Sequence, residues 1–168
     1  MQVSVTKRIC QTVALAVTAT ALRVVFYEAI NKEGRGAMLY DDYESRAKQV
    51  AVHVDEGKYT EALKVLQSLI DSDISDLDKS MMSINMGVVY DKMLQRERAL
   101  EWYDRGIGYE AVYLRFFVSE SKASYLYQLG RFRECLDIYE ELIQQSFLTE
   151  VDKLRIQQYI EATKNAMK

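Results

Sequence analysis

One seven-residue pattern recurs three times in this chain and constrains its fold more than any other feature. The copies are Gly57-Lys58-Tyr59-Thr60-Glu61-Ala62-Leu63, Leu94-Gln95-Arg96-Glu97-Arg98-Ala99-Leu100 and Gly130-Arg131-Phe132-Arg133-Glu134-Cys135-Leu136. Their small residues Ala62, Ala99 and Cys135 stand 37 and 36 residues apart, and a period of that size is the mark of stacked supersecondary units. Each copy reads the same way: a helix ends at a turn residue, an aromatic or long side chain follows, and a small residue then lets the next helix come close. Leu66, Tyr103 and Tyr139, four positions later, continue the buried stripe of the second helix. The first helices are expected at about 44–56, 80–93 and 114–129, with Val50 and Ala51, Gly87 and Ala123 as their contact residues. Proline is absent and there are only seven glycines, so the frequent turns of an all-β chain are missing. The pattern predicts an all-α array of antiparallel helical hairpins.

Two helix starts carry their own signal. Ser75-Asp76-Leu77-Asp78 and Thr149-Glu150-Val151-Asp152 each place a hydroxyl residue three before an acid, the arrangement that satisfies exposed amides at a helix start. The second of these opens a last helix at 150–167. Its apolar stripe is Ile156, Tyr159, Ile160, Thr163 and Met167, and it is expected to cap the array against water.

The chain divides by composition into residues 1–30, apolar and sparsely charged; a polar joint at 31–42 containing Gly34-Arg35-Gly36; and a charged, helically periodic part at 43–168. In the first zone Lys7-Arg8 precede the apolar run Ile9 to Leu22, which Arg23 interrupts before Val24-Val25-Phe26-Tyr27. Three readings stand for it: a membrane anchor over 9–27, a secretory signal with Ala19-Thr20-Ala21 as cleavage site, or a soluble helix packed on the first repeat. The first two imply a membrane-bound or exported protein and the third a cytoplasmic one. Recovery of the full-length chain wholly in the soluble cytoplasmic fraction would remove the anchor and the signal together.

The repeats resemble the tetratricopeptide family over about residues 43–145. The likeness lies in Gly57, Tyr59 and Ala62; in Gly87, Tyr90, Ala99 and Tyr103; and in Ala123, Tyr127, Gly130, Phe132, Cys135 and Tyr139. The family repeat is about 34 residues, so each copy here is longer. Leu94 stands where the family has its turn glycine, Arg96 where it has an aromatic, and no proline closes a repeat. The resemblance implies a right-handed superhelical array whose first helices line a concave groove for a peptide or a partner helix. It would put Glu44, Ala47, Ala51 and Val54 on that face, with Met81, Ile84, Asn85, Val88 and Asp91 from the second repeat and Phe117, Glu120, Ser124 and Tyr127 from the third. Asn85 alone matches the family's clamp for acidic carboxyl-terminal tails, so binding of such tails is not expected.

Enzymatic signals are missing from the sequence. Asp91, Glu120 and Tyr127 are the only acid/base set the groove could offer, and the chain is not expected to be an enzyme. His53 is the single histidine and lacks the further ligands that zinc requires. Gly34-Arg35-Gly36 and Gly106-Ile107-Gly108 lack the remainder of a phosphate loop. The doublets Asp41-Asp42 and Asp71-Ser72-Asp73 read as solvated turn or cap residues. Cys10 and Cys135 lie too far apart in sequence for a paired metal motif, and Cys135 is expected in the core. No cofactor and no metal are expected. With 22 basic and 25 acidic residues and an isoelectric point near 5.3, the chain offers nucleic acid no electrostatic footprint. The expected partner is a protein or peptide segment held by a scaffold. A self-associating accessory subunit is the alternative.

Overall fold

The computed structural model describes residues 37–168. Seven α-helices follow in order: α1 (Ala37–Asp55), α2 (Tyr59–Ile70), α3 (Asp76–Lys92), α4 (Arg96–Glu110), α5 (Phe117–Gln128), α6 (Phe132–Leu142) and α7 (Glu150–Ala166), with a 3-10 turn at Ala111–Tyr113. No strand occurs among the described residues, and the fold is all-α. Each helix packs on the next one in the chain, and α3 also touches α5.

The repeat is visible in the backbone. The N–H of Lys58 donates to the His53 carbonyl at 2.7 Å, that of Gln95 to Tyr90 at 2.9 Å and that of Arg131 to Leu126 at 2.9 Å. One residue earlier, Gly57, Leu94 and Gly130 donate to Val54, Asp91 and Tyr127. These paired bonds close α1, α3 and α5 in the same left-handed terminal turn, with φ of 71° at Gly57, 60° at Leu94 and 73° at Gly130. Leucine therefore adopts the conformation that glycine takes in the other two copies. The small residues after these turns are fully enclosed: Ala62, Ala99 and Cys135 are each 0% exposed. Leu66, Tyr103 and Tyr139 are buried as expected.

Helix boundaries differ from the sequence reading in three places, each for a local reason. Helix α1 is described from Ala37, so residues 37–42 of the expected joint are helical; nothing from Ala37 to Asp42 interrupts a helix. Helix α3 begins at Asp76, earlier than the rough 80 of the repeat spacing but where the Ser75-Asp76-Leu77-Asp78 signal places it: Ser75 accepts the Asp78 amide at 3.1 Å and caps the helix there. Helix α5 begins at Phe117 and not at 114, because Leu114 (φ 50°) breaks the run. Thr149 and Asp152 form the reciprocal cap that opens α7. On that helix Ile156, Ile160 and Thr163 are buried, but Met167 lies past the last helical residue and is exposed, so it leaves the expected stripe. The apolar zone 1–30, including Cys10, and the glycines of the joint lie outside the described residues.

Two clusters form the core. Tyr43, Val50 and Val54 of α1 meet Leu66 and Leu69 of α2, Met82, Met86 and Val89 of α3 and Trp102 of α4. The second runs from Ile84 of α3 through α4, α5 and α6 to Ile156 and Ile160 of α7. Helix α3 is the seam between them, with Met81, Val88 and Tyr90 packed against both. Close approach across it depends on absent side chains. A Cβ on Gly87 would sit 2.9 Å from the Tyr103 ring, and one on Gly106 would sit 2.9 Å from both Ser83 Cβ and Val118 Cγ1.

Candidate functional site

The residues expected to line a groove separate into three groups by burial. Ala47, Val54, Ile84, Asn85 and Ser124 are buried and belong to the packing between helices. At roughly 100° per residue a helix has more buried than free surface once it is flanked on two sides, and α3 is flanked by α2, α4 and α5. Ala51, Met81, Val88, Asp91, Glu120 and Tyr127 are half-buried. Phe117 is exposed, at 44%.

The half-buried polar members are engaged. Asp91 accepts the Tyr125 hydroxyl at 2.7 Å, a bond that ties α3 to α5. The Tyr127 ring meets Phe132 edge-on at 5.1 Å between centroids. Glu120 faces Arg155 of α7: the guanidinium nitrogen lies 3.2 Å from Oε1 but directs its hydrogen bond to Oε2 at 3.4 Å. Oε1 is thus in ionic contact without a hydrogen bond. Burial pushes the Glu120 carboxyl up to about 7, Arg155 opposes the rise, and Asp152 and Glu110 add to it.

Asn85 is 2% exposed and its Nδ2 has no hydrogen-bond partner. A donor enclosed in this way is not presented to an external carboxylate. His53 is half-buried in α1 and its Nδ1 is likewise without a partner. Cys135 lies against Thr163, Sγ to Oγ1 at 3.7 Å, as a core residue. Asp71 accepts from Gln67 Nε2 at 2.8 Å, and Asp71 and Asp73 are exposed turn residues. Among the described residues no group of acidic, histidine or cysteine side chains is arranged to hold a metal ion.

A cleft of about 270 Å³ opens between α4 and the α5–α6 hairpin, lined by Leu100 and Leu126 below charged side chains. Its cations are already paired, Lys122 with Asp104 at 2.5 Å and Arg131 with Glu134 and Glu97.

Two features escape the sequence reading. Glu110, at the end of α4, is buried and accepts the amides of Val118 at 2.9 Å and Ser119 at 3.1 Å. It caps α5, whose own N-cap residue, Phe116, supplies no side-chain bond. The spacing of eight residues to Val118 corresponds to no local capping pattern, so no signal in the sequence reveals it. The second is an exposed apolar edge around residues 112–117; the run Ala111-Val112-Tyr113-Leu114-Arg115-Phe116-Phe117 is its only sequence trace.

No protein family, no curated protein and no solved structure matches the chain. No helix among the described residues is long and apolar enough to cross a membrane, and the segment 9–27 lies outside them.

Proposed function

We propose that the protein is a non-catalytic interaction scaffold: a tetratricopeptide-like solenoid whose first helices, α1, α3 and α5, present one face to a peptide or partner helix. The observation that carries this reading is the threefold recurrence of one terminal turn and one enclosed small residue, together with the contact of α3 with α5 across the intervening α4. Similar hairpins stacked one on the next generate a continuous inner surface. Its available lining is the half-buried set Ala51, Met81, Val88 and Tyr127 with Phe117 at one end, an apolar strip suited to a helix or extended segment. A tether through residues 9–27 belongs to the same proposal.

Position-resolved photocrosslinking tests it. A photoreactive phenylalanine at Met81 or Tyr127 is expected to give discrete protein adducts. The same group at Lys64 or Arg133, exposed on α2 and α6, is expected to give none. Equal adducts from all four positions would end the groove assignment.

A further inference from the structure

Helix α7 docks chiefly on one neighbour. It packs on α6, where Ile156 and Ile160 enter the second core cluster, Thr163 lies over the Cys135 thiol and Lys164 reaches Glu140 at 2.9 Å. Its link to α5 runs through Arg155 and Glu120. A helix held in this way opens more readily than one clamped between two others.

The link is unbalanced in charge. Arg155 offers one nitrogen, Nη2, to two carboxylates, Asp152 Oδ1 at 3.1 Å and Glu120 Oε2 at 3.4 Å. Asp152 has the firmer claim, because the Thr149 hydroxyl and Arg155 hold it below the ordinary carboxylate range. The remaining groups that face Glu120 add no cation: Glu110 at the end of α4 is a third acid, and burial keeps the Tyr139 hydroxyl of α6 neutral. Glu120 Oε1 is enclosed and accepts no hydrogen bond. A protonated Glu120 suits this place; an ionised one is an enclosed charge with a shared counterion.

We propose that α7 is a pH-gated latch: it lies closed while Glu120 carries its proton, and when Glu120 ionises it swings off α6 with α1–α6 still folded, uncovering the thiol of Cys135. The gate follows from linkage. Burial raises the Glu120 carboxyl from 4.5 to about 7, so closing α7 takes up a proton between those values and opening releases it. Opening is rarest below pH 4.5 and grows more frequent until pH passes 7. Cys135 is 0% exposed with its Sγ 3.7 Å from Thr163 Oγ1, so its access reports the state of the latch. The inference depends neither on residues 9–27 nor on the groove.

Hydrogen exchange of the full chain, read by mass spectrometry and corrected for the intrinsic pH dependence of exchange, tests it. Protection of the amides of α7 is expected to fall at least roughly tenfold from pH 5.5 to pH 8, while those of α3 and α4 keep theirs. Glu120→Gln holds the neutral form at every pH and should abolish the fall. Arg155→Gln removes the counterion and should enlarge it. In a Cys10→Ser background, where Cys135 is the remaining thiol, adding Glu120→Gln is expected to slow alkylation of Cys135 by iodoacetamide about tenfold at pH 8. Comparison at one pH cancels the ionisation of the thiol itself. A loss of protection shared by all seven helices would overturn the latch in favour of global unfolding. Protection of α7 that ignores pH would also overturn it, as would a fall that persists in Glu120→Gln. Equal alkylation rates with and without Glu120→Gln would overturn the uncovering of Cys135. None of these outcomes bears on crosslinking from Met81 or Tyr127.

Discussion

Leu94 shows how much one residue's backbone conformation decides here. It occupies the turn position filled by glycine in the other two repeats, at φ 60° and 81% exposed. A leucine in that region costs about 1–2 kcal/mol because its Cβ crowds the following carbonyl. Its side chain recovers little of that from burial. Leu94→Gly is therefore expected to stabilise the protein by about 1 kcal/mol after the entropy of the freer unfolded chain is subtracted, read as a rise of a few degrees in Tm. A fall in Tm would show that the leucine side chain carries packing that its exposure does not reveal. The small residues act at the same scale by opposite means, since Ala62, Ala99 and Cys135 matter for the atoms they lack.

At the scale of the element, the start of α5 is decided by a side chain from the preceding helix. Phe116 cannot cap, and the first amides of α5 point at the Glu110 carboxylate, which also answers the positive end of the helix dipole. Burial raises the Glu110 carboxyl above its ordinary range, and the bonds from Val118 and Ser119 work against that rise. Glu110→Ala strands the buried Val118 N–H and is expected to cost about 2–3 kcal/mol in denaturant unfolding. Glu110→Gln keeps an acceptor oxygen and should cost clearly less. Equal losses in the two variants would mean that the site is held by packing and not by the hydrogen bonds.

For the whole molecule, the docking of α7 joins packing to charge. Ile156 and Ile160 enter the second core cluster, the Tyr159 ring lies 5.4 Å from that of Tyr139, and Arg155 reaches Glu120. Glu120 stands at about 7 in the folded chain against an ordinary 4.5, so folding takes up a proton between those values. The stability this contributes is complete below pH 4.5 and is lost as pH rises through 7. Its upper limit is about 3 kcal/mol at roughly 1.4 kcal/mol per pKa unit, and the ion pair with half-exposed Arg155 lowers the effect. Tm is accordingly expected to fall between pH 5 and pH 8, and Glu120→Gln should flatten that fall while leaving the smaller contribution of Glu110. An unchanged pH profile in Glu120→Gln would locate the titration elsewhere.

The sequence by itself determined what short-range rules control. The 36- to 37-residue period, the caps at Ser75 and Thr149 and the stripe through Leu66, Tyr103 and Tyr139 all follow from interactions within about four residues along a helix, and they appear in the structure where expected. Only the tertiary structure decided which of the expected inner-face residues remain accessible. Ile84 and Ser124 are enclosed while Met81 and Phe117 are less so, because burial depends on which neighbours α3 and α5 acquire. The Glu110 cap and the Glu120–Arg155 contact are also through-space events, joining residues 8 and 35 positions apart, and no local pattern carries them. The exposure of Val112, Tyr113, Leu114 and Phe117 belongs to the same kind, since an apolar run becomes a surface only when packing leaves it uncovered.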